Sequence, residues 1–150
     1  MKPMGKVEKA ERLSKARARI FAVLAVLFLA LQSAYISNGA LEGAGRVSHL
    51  KIGAWAVNAI VLLALLATGG GLVRGRDVRD LLNDETTQDH RRRALNWGYW
   101  TMAVVAFGLY GVSLFETVTT REALHMVITL GVAVPLLVFS FLERRAYRDA

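Results

Sequence analysis

The chain has 150 residues, of which 54% are hydrophobic and only 21% are charged, so its composition is too apolar for a typical soluble domain. Its formal net charge is +7, a basic balance that occurs in nucleic-acid-binding proteins and in membrane proteins alike. The chain has no cysteine, which excludes disulfides, thiol–quinone redox chemistry and covalent haem attachment.

The apolar residues are concentrated in four stretches that contain no Asp, Glu, Lys or Arg. They are residues 20–41, 52–73, 94–115 and 123–142. At about 1.5 Å of rise per residue, a helix of this length crosses a hydrocarbon core about 30 Å thick. Inside lipid every backbone N–H and C=O must be paired within its own segment, which requires helices. The sequence therefore predicts an all-α membrane protein with four transmembrane helices in two hairpins.

The first predicted span follows a strongly basic segment, residues 1–19, which holds seven Lys and Arg residues. Its charged and apolar residues are spaced as in a helix that lies on the inner membrane surface or rises from it into the span. A cleaved signal peptide is the competing interpretation, but the leader is long and no clean small-x-small site follows Leu31. We expect the first span to be retained.

The distribution of basic residues predicts the orientation of the chain. Residues 1–19, the loop 74–93 and the tail 143–150 together hold 16 of the 19 Lys and Arg residues. Because Lys and Arg concentrate in cytoplasmic loops, both termini and the middle loop are predicted to be cytoplasmic. This explains the positive charge as a topology signal, so we expect no direct nucleic acid binding. The Ala, Leu, Gly and Arg-rich usage suits a bacterial inner (plasma) membrane.

The middle loop ends in NDETTQDHRRR, residues 83–93, directly before the third predicted span. Asn83 is a good N-cap, and Asp84 and Glu85 then lie in the first helical turn, where carboxylates favour the positive end of the helix dipole. If the helix continues into the span, Asp89 and Arg93 stand four residues apart in the stabilising order. The segment is therefore predicted to be the capped cytoplasmic end of the third membrane helix.

The residue types of the same segment also occur in reaction sites, but their arrangement does not favour one. Glu85 and Asp89 share a helical face but His90 points to another side, and three arginines would compete with any cation for the carboxylates. No Gly-rich phosphate cradle accompanies those arginines. We therefore expect no catalytic residue, no metal, no cofactor and no enzymatic activity. The exposed charges instead predict a surface for a cytoplasmic protein partner, formed by Asp84, Glu85, Asp89, Arg91, Arg92 and Arg93.

Within the spans, the polar residues of most interest are Asn58, Thr101 and His125. Most such residues make interhelical hydrogen bonds, worth roughly 0.6–2 kcal/mol each, and a few line a ligand pocket. His125 and His49 both fall near the outer surface, where they are candidates for a metal pair or an acid sensor. Interfacial histidines without a partner are the commoner case.

Small residues at helical spacing predict close helix packing. One such stripe includes Ala94, Gly98 and Gly108, and another includes Gly53. Pro135 in the fourth span removes one backbone hydrogen bond and frees the carbonyl of Gly131. Exposed stripes of this kind also make a homodimer plausible.

The run LLNDETTQDHRRRALNWGYW, followed by a span that ends in LERRAYRD, resembles a loose class of small four-span bacterial inner-membrane proteins. The resemblance covers roughly the second half of the chain. Some members of that class are encoded beside small helix-turn-helix regulators. The resemblance therefore implies a membrane partner of a DNA-binding protein, and it implies no catalytic residues.

Two hypotheses of function follow. In the first, the chain is a regulatory or scaffolding protein in the lipid bilayer whose cytoplasmic face binds a soluble protein. In the alternative, it is a small permease or an accessory subunit of a solute or lipid handling complex. Asn58, Thr101 and His125 would then line the path.

Overall fold

The computed structural model describes residues 6–37, 46–69 and 85–146, and nearly all of these residues are helical. The helices are α1 (Lys6–Ser37), α2 (Arg46–Ala67), α3 (Glu85–Ser113) and α4 (Thr120–Ala146). This confirms the predicted all-α class. The predicted N-cap Asn83 and its neighbour Asp84 lie outside the described residues.

Three of these helices are long and apolar enough to cross a membrane. Their apolar segments are Lys15–Ser33 in α1, Leu50–Ala67 in α2 and Thr120–Ala146 in α4. Many large apolar side chains on the helix surfaces are exposed, as expected for a protein that faces lipid. Three of the four predicted spans thus correspond to helices with the length and apolar content needed to cross a membrane. Helix α3 has 29 residues, but its first half is polar, and it does not reach the same apolar content.

The helix limits differ from the predicted span limits. Helix α1 runs without a break from Lys6 to Ser37, so the described part of the predicted basic segment, residues 6–19, continues into the first predicted span as one helix. Helix α2 ends at Ala67, six residues before the predicted limit of its span. Gly69 follows with a φ of 60°, and its N–H bonds the carbonyl of Leu66. Glycine adopts this left-handed conformation without steric cost, which explains why the helix ends there.

Helix α4 lies at the centre of the bundle and packs mainly against α1 and α3. It runs antiparallel to α1, because Arg17 contacts Glu143 while Gln32 contacts His125 at the opposite end. We call these the Arg17 end and the His125 end of the bundle. The described chain therefore starts and finishes at the Arg17 end.

The other two helices complete an up-down-up-down arrangement. In α3, Thr87 lies near Glu143 at the Arg17 end, and Val105 lines a cavity beside His125 at the other end. In α2, Trp55 stacks on His125, so this helix starts near the His125 end and descends toward the Arg17 end.

The core between the two ends is apolar and draws on all four helices. Its best-buried members are Phe21, Ala25, Phe28, Ala59, Leu62, Leu66, Ala94, Val132, Ala133, Leu136 and Phe139. The rings of Phe21 and Phe139 meet edge to face with their centroids 5.1 Å apart. This geometry is favoured by the ring quadrupoles and joins α1 to α4.

Helices α3 and α4 approach closely at two glycines. A methyl group added at Gly98 would overlap Cγ of Pro135 and lie 3.1 Å from its Cδ. One added at Gly131 would lie 2.5 Å from Sδ of Met102. Part of the predicted small-residue stripe, Ala94 and Gly98, is therefore buried in this contact. The glycine at position 108 has nothing within 4 Å of its added methyl group.

We expect Gly98→Ala to destabilise the bundle by about 1–3 kcal/mol, because a rigid proline ring fills the space that the new methyl group needs. Gly108→Ala is the matched control in the same helix, and it should be neutral or slightly stabilising because alanine favours helix. The measurement is the free energy of unfolding in mixed detergent and SDS micelles. Equal stability of the two variants would contradict the close α3–α4 contact.

Candidate functional site

The Arg17 end contains a buried ion pair. Nη2 of Arg17 donates to Oε2 of Glu143 at 2.6 Å, and the side chains of these residues are only 3% and 2% exposed. The hydroxyl of Thr87 lies 3.0 Å from the same Nη2 and 3.4 Å from Oε1 of Glu143. Burying two charges is costly unless hydrogen bonds satisfy them, so this third polar group contributes to balancing the pair. Helices α1, α3 and α4 thus meet at one polar cluster.

Two further contacts surround the pair. Nδ1 of His90, one turn after Thr87, lies 3.4 Å from Oε1 of Glu143. The hydroxyl of Ser140, one turn before Glu143, donates to the backbone carbonyl of Ala18 at 2.7 Å. The inward side of the first turns of α3 is therefore fixed against α1 and α4.

Arg91 links the same segment to α2. Its Nη1 donates to the carbonyl of Ala67 at 2.8 Å, at the last residue of that helix. The last carbonyls of a helix lack intrahelical partners and carry partial negative charge, so a guanidinium there stabilises the helix end. Of the three arginines in the segment, Arg91 stabilises the bundle through this contact with α2. The sequence pattern does not distinguish this role from those of Arg92 and Arg93.

The side of the first turns of α3 that faces away from α1 and α4 is exposed. A shallow surface cavity of about 460 Å³ is lined there by Glu85, Gln88, Asp89, Arg91, Arg92 and Leu95. Nε of Arg93 lies 2.9 Å from Oδ2 of Asp89, as the four-residue spacing predicts. Both side chains of this pair are at least half exposed, so the bond stabilises the fold by less than about 1 kcal/mol.

The six residues predicted to bind a partner therefore fall into three groups. Glu85, Asp89, Arg92 and Arg93 are exposed together on one side of α3. Arg91 is half-buried and caps α2. Asp84 lies outside the described residues.

At the His125 end, the imidazole of His125 is buried. Its Nε2 is hydrogen-bonded to Oε1 of Gln32, and its ring stacks on Trp55 with centroids 4.3 Å apart. The side chain of His49, the predicted companion of His125, lies outside what the structure describes. His125 instead has two neighbours that the sequence analysis did not assign to it.

A cavity of about 520 Å³ lies beside His125, between α1, α3 and α4. Its walls include Leu29, Gln32, Val105, His125, Thr129 and Leu130. Asn58 and Thr101 are both described and do not line it. The hydroxyl of Thr101 donates to the carbonyl of Trp97 in its own helix at 2.8 Å. The three predicted intramembrane residues are thus not gathered in one site.

The most tightly held groups were missed from the sequence. Arg17 and Glu143 fall just outside the predicted spans, where each has the local sequence of an ordinary juxtamembrane charge.

A second feature missed from the sequence did have a signal there: Thr119 and Glu122 form a T-x-x-E capping box at the start of α4. The hydroxyl of Thr119 accepts from the N–H of Glu122 at 3.3 Å, and the Glu122 carboxylate accepts from the N–H of Thr119 at 3.0 Å.

Within the part of the chain that the structure describes, no three His, Asp or Glu side chains are grouped as metal ligands would be. Comparisons with protein-family models, curated proteins and solved structures find no match to this chain.

We expect Glu143→Gln to destabilise the bundle by about 3 kcal/mol or more, because the substitution removes the carboxylate that balances the buried Arg17 guanidinium. Asp89→Asn breaks the exposed pair with Arg93 and serves as the control, with an expected cost below about 1 kcal/mol. Unfolding in mixed micelles measures both.

The double variant Arg17→Met/Glu143→Leu removes both charges and should recover most of the loss, since an apolar pair needs no balancing charge. If Glu143→Gln were no less stable than Asp89→Asn, the buried pair would not support the fold.

Proposed function

We propose that this chain is a four-span protein of the bacterial inner membrane whose Arg17 end faces the cytoplasm and binds a soluble protein partner. The observation that carries the proposal is the two-sided character of the start of α3. Thr87, His90 and Arg91 are held by the bundle. The other side of the same turns displays exposed charged side chains.

The geometry supports α3 as the fourth span. It runs beside α4 from the Thr87–Glu143 contact, past the Gly98–Pro135 contact, to the cavity lined by Val105. From Glu143 to His125, α4 rises about 27 Å, close to the thickness of a hydrocarbon core. A helix packed along that whole distance lies at the same membrane depth as α4.

The charges of the chain support the orientation. The basic segments 1–19, 74–93 and 143–150 all adjoin helix ends that lie at the Arg17 end. Because Lys and Arg favour the cytoplasmic side, this end is assigned to the cytoplasm and the His125 end to the outside.

We define the docking face as Glu85, Gln88, Asp89, Arg92 and Arg93. It carries both signs of charge on a helix that the buried cluster holds in place, so a partner meets a preformed surface. Charged surface residues of this kind affect the rate and selectivity of association more than they affect the affinity. The resemblance to proteins encoded beside helix-turn-helix regulators favours a DNA-binding regulator as the partner.

The permease alternative finds less support. A path for a polar solute needs polar groups along the membrane, whereas the buried core between the two polar ends is apolar. It includes Val132, Ala133, Leu136 and Phe139 of α4, each no more than 1% exposed. A homodimer stays a prediction, for which the open sides of α2 and α3 at Gly53 and Gly108 are suitable surfaces.

A photocrosslinking amino acid placed at Arg92 tests the docking face in intact cells. We expect a discrete adduct with one cytoplasmic protein, and none at the control position Phe107, which is also exposed on α3 but lies within the predicted span. Reversal of two charges, Glu85→Lys with Asp89→Lys, should lower the yield of the adduct on the order of tenfold, because like charges then oppose each other.

Both reversed residues are exposed, so the unfolding free energy of the protein should change little. An adduct whose yield does not respond to the reversal, or crosslinks to lipid alone, would contradict the proposal.

A further inference from the structure

The cavity at the His125 end has features of a binding site that the docking function does not use. Its volume of about 520 Å³ falls in the range of small-ligand pockets. Apolar side chains from three helices, Leu29, Val105, Met126 and Leu130, form most of its wall. Polar groups enter it only at a few points.

The first of these points is the hydroxyl of Thr129. The residue is 7% exposed, and its Oγ1 has no hydrogen-bond partner among the described residues. By contrast, two other threonines donate to nearby backbone carbonyls: Thr68 to Ala64 O and Thr101 to Trp97 O, each at 2.8 Å. A buried hydroxyl without a partner is costly, and the Thr129 hydroxyl is able to donate a hydrogen bond to a group that enters the cavity.

The second point is the side-chain amide of Gln32. Its hydrogen bond with His125 uses the carbonyl oxygen Oε1, which leaves the NH₂ group outside that bond. Stacking against Trp55 fixes the imidazole and so fixes Gln32. The wall of the cavity therefore presents oriented N–H and O–H donors within an apolar surface.

This combination selects the chemistry of the ligand. Donors in an apolar wall bind a carbonyl, whose oxygen accepts hydrogen bonds and carries no full charge. Among the described residues that line the cavity, none has a Lys, Arg, Asp or Glu side chain, so an ion would be buried without a balancing charge. The apolar wall fits a hydrocarbon chain or ring attached to the carbonyl.

We propose that this cavity binds a lipid-soluble molecule whose carbonyl accepts hydrogen bonds from the Thr129 hydroxyl and the Gln32 amide. Its apolar part lies between Leu29, Val105 and Leu130. Two membrane sources offer this chemistry: the ring carbonyl of an isoprenoid quinone and the ester carbonyl of an acyl lipid. The site is separate from the docking face and stands whether or not that face binds a protein.

The fluorescence of Trp55 provides a direct readout of binding, because its ring stacks on His125 at the cavity wall. In the variant Trp97→Phe/Trp100→Phe, both replaced side chains are exposed and Trp55 is the only tryptophan left. This protein in nanodiscs is titrated with ubiquinone-1 and, separately, with monoolein, and with tetradecane as a probe without a carbonyl. Equilibrium dialysis of the same probes against the wild-type protein gives an independent measure of binding.

We expect saturable binding of at least one carbonyl probe with a stoichiometry of one, and none of tetradecane. Thr129→Val should weaken it about 3- to 10-fold, the effect of losing one neutral hydrogen bond. Because its hydroxyl has no partner in the described part of the bundle, we expect Thr129→Val to cause no loss of unfolding free energy in the ligand-free protein, unlike the same change at a structural threonine. The control Thr101→Val should leave binding unchanged, and Val105→Phe should abolish it by filling the cavity.

Saturation by ubiquinone-1 alone assigns the site to quinones, and saturation by monoolein alone assigns it to acyl lipids. Binding of both supports the shared carbonyl chemistry. If no carbonyl probe saturates, or if Thr129→Val binds as tightly as Thr101→Val, the proposal is overturned.

Discussion

The arrangement of this bundle depends on one buried contact, the ion pair of Arg17 with Glu143. Its helices have apolar surfaces on most sides, and apolar contacts alone are compatible with many rotations and shifts of one helix along another. A buried charge pair tolerates few of them, because any shift that separates the partners leaves a charge in an apolar environment. With Thr87 and His90 contacting the same carboxylate, the pair fixes the register of α1 and α3 against α4 at once.

That register determines which side chains face outward at the Arg17 end and where a cavity forms at the His125 end. At the Arg17 end it turns Thr87 and His90 inward, so that the docking face points outward and Arg91 reaches the end of α2. At the His125 end it brings Gln32 to His125 and leaves space between α1, α3 and α4. The surface that binds a protein in our account and the cavity that binds a lipid-soluble molecule are thus two consequences of one packing arrangement.

The sequence predicted the elements better than their contacts. Helical class, the three helices apolar enough to cross a membrane and the Asp89–Arg93 pair follow from local composition and spacing, which act over a few residues. Arg17 and Glu143 are 126 positions apart, and each has the local sequence of an ordinary juxtamembrane charge, so no periodicity pairs them. For the same reason the sequence groups Arg91 with Arg92 and Arg93 on one predicted partner surface: helical spacing defines faces but does not say which face a distant helix covers.

The most direct test of the account is the side of the membrane on which each end lies. The chain has no cysteine, so Arg92→Cys and Glu116→Cys each introduce a single thiol, one on the docking face and one in the exposed turn between α3 and α4. A membrane-impermeant maleimide should label Glu116→Cys in spheroplasts and Arg92→Cys only in inverted vesicles. This labelling pattern is expected only if α3 crosses the bilayer with the Arg17 end on the cytoplasmic side. Labelling of both positions from the same side, or of Arg92→Cys from outside, would contradict it.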